Sequence, residues 1–320
     1  MTSNFFDIKH QELLSLCPPD VDPTDWGKFR NNFALTEQFV ELDHPLQLDI
    51  ELNGGCNMKC PFCIHGYGEK IPNKKMAIAD YHRIIEEAVD IGVKSLKLNY
   101  INEPMLRKDL EKCIRYARDK GIINVYMVTN GTCLNAKRRE SILESGLTKL
   151  FVSLDAVTEE TYDKQRLSGN FHRVVENIEK FLELRNDRGL QFPLVRVSFL
   201  KNAINIHEAD AFQTYWEEKV DIIAFQTMNE VPDQKTGLLL KQEKKVTNGC
   251  SFPFKQLVID HQGTILPCCK LAGKELPLGN IADTTLKEAW DGKRMRHLRQ
   301  IHSTDEWKDH PICSGCMVPK

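Results

Sequence analysis

Residues 46–63 read LQLDIELNGGCNMKCPFC. The first seven alternate, with Leu46, Leu48, Ile50 and Leu52 on one face, which is the period of a β-strand. Asn53, Gly54 and Gly55 break the pattern, and Cys56, Cys60 and Cys63 follow at intervals of four and three residues. A glycine-rich loop curls without Cβ clashes, so three thiolates can converge on one centre just past the strand. That is the rim where a βα barrel places its chemistry. Two groups suit three thiolates: a zinc ion completed by His65, or a 4Fe-4S cluster with one iron open to an external ligand.

From this stretch outward, apolar runs alternate with amphipathic ones, the pattern of βα units around a mainly parallel sheet. Six strands are expected, at about Leu46–Leu52, Ser95–Asn99, Asn124–Thr129, Lys149–Ser153, Leu194–Phe199 and Asp221–Phe225. Between them, apolar residues return every three or four positions over Ala79–Ile91, Lys108–Lys120, Ala136–Ser145, Phe171–Leu184 and Glu208–Glu218, which predicts helices. The fold class is therefore α/β, a partial (β/α)6 barrel of parallel strands over 46–228 rather than the closed eight-stranded form. Residues 1–45 are polar, carry Pro18-Pro19, and read as an irregular N-terminal extension. Residues 229–249, NEVPDQKTGLLLKQEKKVTNG, mix turn formers with charge and read as a linker. Residues 250–320 form a small second domain: a β-hairpin, Gln256–Asp260 with Thr264–Cys268 around His261-Gln262-Gly263, then one charged helix over Thr285–Ile301.

Of 320 residues, 41% are hydrophobic and 28% charged, and no apolar run approaches the roughly 18 to 20 residues of a membrane span. Forty-three basic against 45 acidic side chains leave a net charge of -2, so no global field draws the chain to nucleic acid or anionic lipid. Eleven cysteines follow an opening, MTSNFFDIKH, with neither the basic nor the apolar region of a secretory signal. A reducing cytoplasm is expected, where clustered thiols are metal ligands or catalytic groups rather than disulfides. A second group comprises Cys250, Cys268, Cys313 and Cys316, with Cys269 abutting it, while Cys17, Cys113 and Cys133 stand alone. By chemistry alone its four thiolates suit a zinc ribbon or a fully ligated iron-sulfur cluster.

The CxxxCxxC spacing after a first strand, followed by βα repeats, resembles the radical S-adenosylmethionine (SAM) superfamily over roughly residues 45–228. The resemblance implies a 4Fe-4S cluster on Cys56, Cys60 and Cys63, with SAM on the open iron through its amino and carboxylate groups. It places Phe62 beside the adenine. Ile101-Asn102-Glu103-Pro104 stands where the family shows a Gly-Glu-Pro segment that meets the SAM ammonium, with Asn102 in place of a glycine, a residue that tolerates left-handed backbone. Ser153 takes the place of the polar residue at the SAM ribose. Arg166 is a further candidate, Arg196 one for the SAM carboxylate or an acidic substrate group, and Asn205 one for the adenine loop.

Cys250-x12-Gly263-x4-Cys268 resembles the opening of the SPASM extension or its shortened twitch form. That implies one auxiliary 4Fe-4S cluster on Cys250, Cys268, Cys313 and Cys316, with Cys268 rather than Cys269 chosen by the Gly-x4-Cys spacing, and acting as an electron relay. The function implied is reductive cleavage of SAM to a 5'-deoxyadenosyl radical. Hydrogen abstraction from a carbohydrate-like or aminocyclitol-like small molecule, with net oxidation of a hydroxyl-bearing carbon, is the expected outcome. A sugar epimerase, a modifier of ribosomal peptides and a non-catalytic zinc or redox-relay protein are the alternatives. The expected electron donor is of the flavodoxin or ferredoxin type, with no nucleic-acid or membrane partner.

Overall fold

Alternation along six parallel strands builds the core, because one face of each strand meets helices while the other faces inward. The computed structural model describes residues 6–68, 71–228, 237–240 and 249–316. In chain order the elements are β1 (Phe6–Lys9), α1 (Pro23–Thr36), β2 (Gln47–Ile50), α2 (Ile64–Tyr67), α3 (Ile78–Asp90), β3 (Ser95–Lys97), α4 (Leu110–Asp119) and β4 (Asn124–Thr129). Next come α5 (Ala136–Leu143), β5 (Lys149–Ser153), α6 (Glu159–Gln165), α7 (Phe171–Asp187), β6 (Leu194–Lys201), α8 (Ala209–Trp216) and β7 (Ile222–Thr227). The carboxyl-terminal part adds α9 (Phe252–Lys255), β8 (Gln256–Ile259), β9 (Thr264–Leu266), β10 (Gly279–Asn280), α10 (Leu286–Asp291) and α11 (Lys293–Ser303).

Strands β2 to β7 run parallel in the order 2-3-4-5-6-7, the six expected from the sequence. Their outward residues, among them Leu48, Ile50, Val125, Leu150, Val152, Val197 and Phe199, are fully buried against Ile84, Ile114, Phe181 and Phe212 of the surrounding helices. Each such side chain contributes about 1.5 to 3 kcal/mol by leaving water. Many of the inward residues are polar or charged. Asp49 pairs with Lys97, and the Arg196 guanidinium lies 3.6 Å from the Phe151 ring centroid, forming a charged layer across the barrel.

Three features depart from the expectations. The sheet does not end at the barrel: β8 pairs in parallel with β2, and the β8–β9 hairpin carries the same sheet outward, so the cysteine-rich segment shares the barrel's backbone ladder. The described residues 6–45 are not irregular. β1 pairs antiparallel with β7, and α1 starts on Asp22, whose side chain accepts the Thr24 and Asp25 N–H groups at 2.8 and 3.1 Å ahead of Pro23. The helix expected over Thr285–Ile301 is two helices, α10 under a Thr285–Glu288 capping box and α11, parted by Gly292 in extended backbone. The linker expected over 229–249 lies mostly outside the described residues. Among those described, no helix is long and apolar enough to cross a membrane.

Candidate active site and auxiliary cysteine chamber

The loop after β2 turns tightly enough to face its three thiols into the barrel mouth. Gly66 makes this possible, because a Cβ there would lie 2.0 Å from the Cys60 carbonyl oxygen. Cys56, Cys60 and Cys63 line one cavity of about 370 Å3, together with Phe62, His65, Asn102, Glu103, Ser153, Asp155 and Arg166. Burial pushes the Cys56 thiol up to about 12, with Glu103, Cys63 and Cys60 adding to the effect, and it raises Cys63 as well. Such thiols stay protonated unless a cationic group enters among them, so this donor set suits a cluster. No three Cys, His, Asp or Glu side chains among the described residues surround a point fit for a single metal ion. The three sulfurs line one chamber together with His65.

Two turn motifs meet over Glu103, which is buried. Its carboxylate accepts the Thr129 hydroxyl at 2.6 Å, the Asn130 N–H at 2.7 Å and the Met105 N–H at 3.0 Å. Burial still raises its pKa against these bonds. Asn102 does not use left-handed backbone. Its Nδ2 donates to Asn53 Oδ1 at 3.1 Å and its Oδ1 accepts the Tyr100 N–H at 3.1 Å, so a side-chain bridge ties the segment to the cysteine loop.

Asp155, two residues past β5, is a non-glycine residue at φ +64°. The conformation lets its Oδ1 accept the Leu200 N–H at 2.7 Å while the carboxylate pairs with Arg166. Arg166 also sits 3.6 Å from Cys60 Sγ through Nη1 and 5.5 Å from the Phe62 centroid. The guanidinium thus bridges the carboxylate and the thiol triad, a pairing the sequence did not reveal.

Of the seven non-cysteine candidates, Phe62, Asn102, Glu103, Ser153 and Arg166 line the cavity. Arg196 and Asn205 do not. Arg196 lies one side-chain level deeper, where burial lowers its pKa to about 10. Asn205 is fully buried, donating to the Asp155 and Leu200 carbonyls at 2.9 and 3.0 Å and accepting the Asn202 N–H at 2.9 Å, so it pins the turn after β6. Lining residues that sequence reasoning passed over include Asn99, Tyr100, Val128 and Gln226, and it left Ser198 unassigned. The period-two inward alternation of β3, β4, β6 and β7 was the available signal.

A second chamber, of about 40 Å3, is lined by Cys250, Cys268, Cys313 and Cys316 with Trp307 and His302. Burial pushes Cys250 up to about 12 and Cys313 to about 11, and raises Cys268 and Cys316 too, so this donor set also suits a cationic cluster. Gly273 backs it closely, since a Cβ there would lie 2.7 Å from Cys268 Sγ. Cys269 packs instead with Tyr100, Val258 and Leu266. Consecutive residues line the two chambers: Lys270 lines the second and Leu271 the first, and the Tyr100 hydroxyl donates to the Lys270 carbonyl at 2.8 Å.

The Radical SAM superfamily profile matches residues 50–196, and the SPASM iron-sulfur cluster-binding domain profile matches residues 250–317. These domains imply a 4Fe-4S cluster with SAM at the first site and auxiliary iron-sulfur ligation at the second. A protein described as "Probable GTP 3',8-cyclase" from Methanococcus maripaludis is 33% identical over 167 residues, 52% of this chain and 53% of that protein. The match therefore spans about half the length of that relative. An "AdoMet-dependent heme synthase" from Methanosarcina barkeri is 24% identical over 325 residues, covering 85% of this chain and 91% of that one. The solved structure of anSMEcpe with bound AdoMet superposes with a TM-score of 0.65 at 17% identity, over 86% of this chain and 91% of that one. With a matching profile over the barrel, a second over the cysteine-rich segment, and both thiol sets placed in chambers of one sheet, the chain belongs to the radical SAM superfamily and carries a SPASM domain.

Proposed function

We propose that this chain cleaves SAM at the first site, abstracts hydrogen from a hydroxyl-bearing carbon of a carbohydrate-like small molecule, and oxidises that carbon. The observation that carries the reading is one cavity that holds the three thiols, Glu103, Ser153 and Arg166 together with the neutral polar residues Asn99, Ser198 and Gln226. When bound, the cluster and SAM supply a 5'-deoxyadenosyl radical, which abstracts hydrogen from carbon that acid–base chemistry does not activate.

The protein's own share is positional. Cys56, Cys60 and Cys63 hold the cluster, and the buried Glu103 carboxylate with Ser153 and Phe62 orients SAM by its ammonium, ribose and adenine. Arg166, anchored by Asp155, sets a fixed positive charge beside Cys60. Cys250, Cys268, Cys313 and Cys316 would hold the auxiliary cluster, which would supply an acceptor for the one electron that leaves the substrate radical as the hydroxyl proton passes to water and the carbonyl forms.

Epimerisation needs a hydrogen-atom donor, usually a thiol, facing the reacting carbon. Cys269 packs against Tyr100, Val258 and Leu266, and Cys133 lies against the core beside Thr132, which places neither at the cavity surface. This supports oxidation. The electron donor is of the flavodoxin or ferredoxin class. Anaerobic reconstitution with deuterated candidate substrates tests the whole reading: deuterium in 5'-deoxyadenosine and a new carbonyl are expected. An inverted carbon bearing one solvent deuterium would replace oxidation by epimerisation.

A further inference from the structure

Beside the SAM-facing residues, with Ser198 of β6 in register with Ser153 of β5, the cavity wall changes character. Its charged side chains are engaged near the mouth: Glu103 by Thr129 and Asn130, and Asp155 by Arg166. The Lys97–Asp49 pair beneath does not line the cavity. What faces the interior from β3, β6 and β7 is neutral and hydrogen-bonding. Ser198, on the inward face of β6, is 3% exposed, and its hydroxyl has no partner among the described residues. A buried hydroxyl left unsatisfied costs about 1 to 3 kcal/mol, which marks it as a group awaiting a ligand. Asn99, just past β3, spends its Oδ1 on the Val128 N–H at 2.9 Å, leaving Nδ2 as a donor. Gln226 on β7 lines the same space with a side chain that both donates and accepts. Val128 and Leu200 supply apolar surface between them.

We propose that Asn99, Ser198 and Gln226 form the substrate subsite, and that it takes a neutral molecule with several hydroxyls, of the sugar or cyclitol class. Hydroxyls both donate and accept, as do Ser198 and Gln226, whereas a phosphate ester offers only acceptors and calls for cations. The patches on Val128 and Leu200 suit the C–H faces of a saturated ring. The inference rests on the radical reading above and adds to it which side chains choose the substrate.

The test uses the anaerobic holoprotein with SAM and three probes: perdeuterated D-glucose, perdeuterated myo-inositol and D-glucose 6-phosphate. Binding is read by calorimetry, and reaction by deuterium in 5'-deoxyadenosine. At least one neutral probe should bind saturably and donate deuterium, at least tenfold more tightly than the phosphate ester. Ser198→Ala and Gln226→Leu should each weaken that probe about five- to tenfold, the effect of one neutral hydrogen bond. SAM affinity is followed separately, from the change it makes in the cluster's EPR signal. The subsite is refuted if no neutral probe binds, if the phosphate ester binds better, if neither variant changes probe affinity, or if Ser198→Ala weakens SAM rather than the probe. Calorimetric binding that obeys these rules without any 5'-deoxyadenosine would sink the radical reading and leave the subsite standing.

Discussion

Replacing Lys149 by Met probes how the barrel floor is built. Lys149 opens β5 and is 6% exposed; its Nζ donates to Asn124 Oδ1 at 2.7 Å and lies 5.1 Å from the centroid of Trp26, on α1. Burial, reinforced by Arg30, lowers its pKa from 10.5 to about 7. A base depressed in this way binds fewer protons folded than unfolded between those two values. Stability therefore rises with pH through that window, with a slope of about 1.4 kcal/mol per pH unit, and the penalty is constant once both states are protonated below pH 7. The full interval from 10.5 to about 7 sets a ceiling of about 5 kcal/mol. At pH 9 about 2 kcal/mol of it remains.

Methionine does not titrate, fills similar length, and sets a thioether on the Trp26 ring. Asn124 Oδ1 keeps its bond from the Thr148 hydroxyl at 3.0 Å. Lys149→Met should therefore be more stable than the parent at pH 6, and its advantage should shrink by about 2 to 3 kcal/mol on going to pH 9. Urea unfolding of the anaerobic protein, followed by tryptophan fluorescence at several pH values, reads the difference. An advantage that stays constant from pH 6 to pH 9 would show that Lys149 does not titrate in this window and refute the reasoning.

Replacing Cys56, Cys60 and Cys63 together by Ala should remove about one cluster's iron and abolish 5'-deoxyadenosine formation, because SAM must reach the open iron; full cleavage activity would overturn the site. Cys268→Ala should lower iron content whereas Cys269→Ala should not, since only the first lines the second chamber; iron analysis of the two variants decides. Gly66→Ala places a Cβ 2.0 Å from the Cys60 carbonyl oxygen, so the cysteine loop must shift and the 4Fe-4S absorbance of reconstituted protein should fall by more than half; unchanged absorbance would mean the loop has room. Tyr100→Phe, which removes the hydroxyl from the Lys270 carbonyl, should keep both iron complements but loosen residues 268–271, read as faster amide exchange there.

Local pattern was enough for the parallel strands. Alternation and helical period depend on near neighbours, so β4 and β5 fall where the sequence places them. Cys56, Cys60 and Cys63 line one cavity because their spacing keeps them within one short loop. Glycine punctuation was harder to weigh, and a single residue, Gly292, divides a stretch that reads as one helix.

Tertiary structure decided whatever depends on residues far apart in the chain. That β8 docks in parallel on β2, some 200 residues away, is set by side chains and backbone groups that meet only after the barrel forms. The depth of Arg196 and the burial of Asn205 follow from strand stagger, which periodicity does not encode; one inward residue can face the cavity while the next below it becomes floor. The Asp155–Arg166–Cys60 chain and the neutral wall of Asn99, Ser198 and Gln226 arise for the same reason. A strand's own sequence determines which face is inward, but the curvature of the whole sheet determines what those inward residues meet.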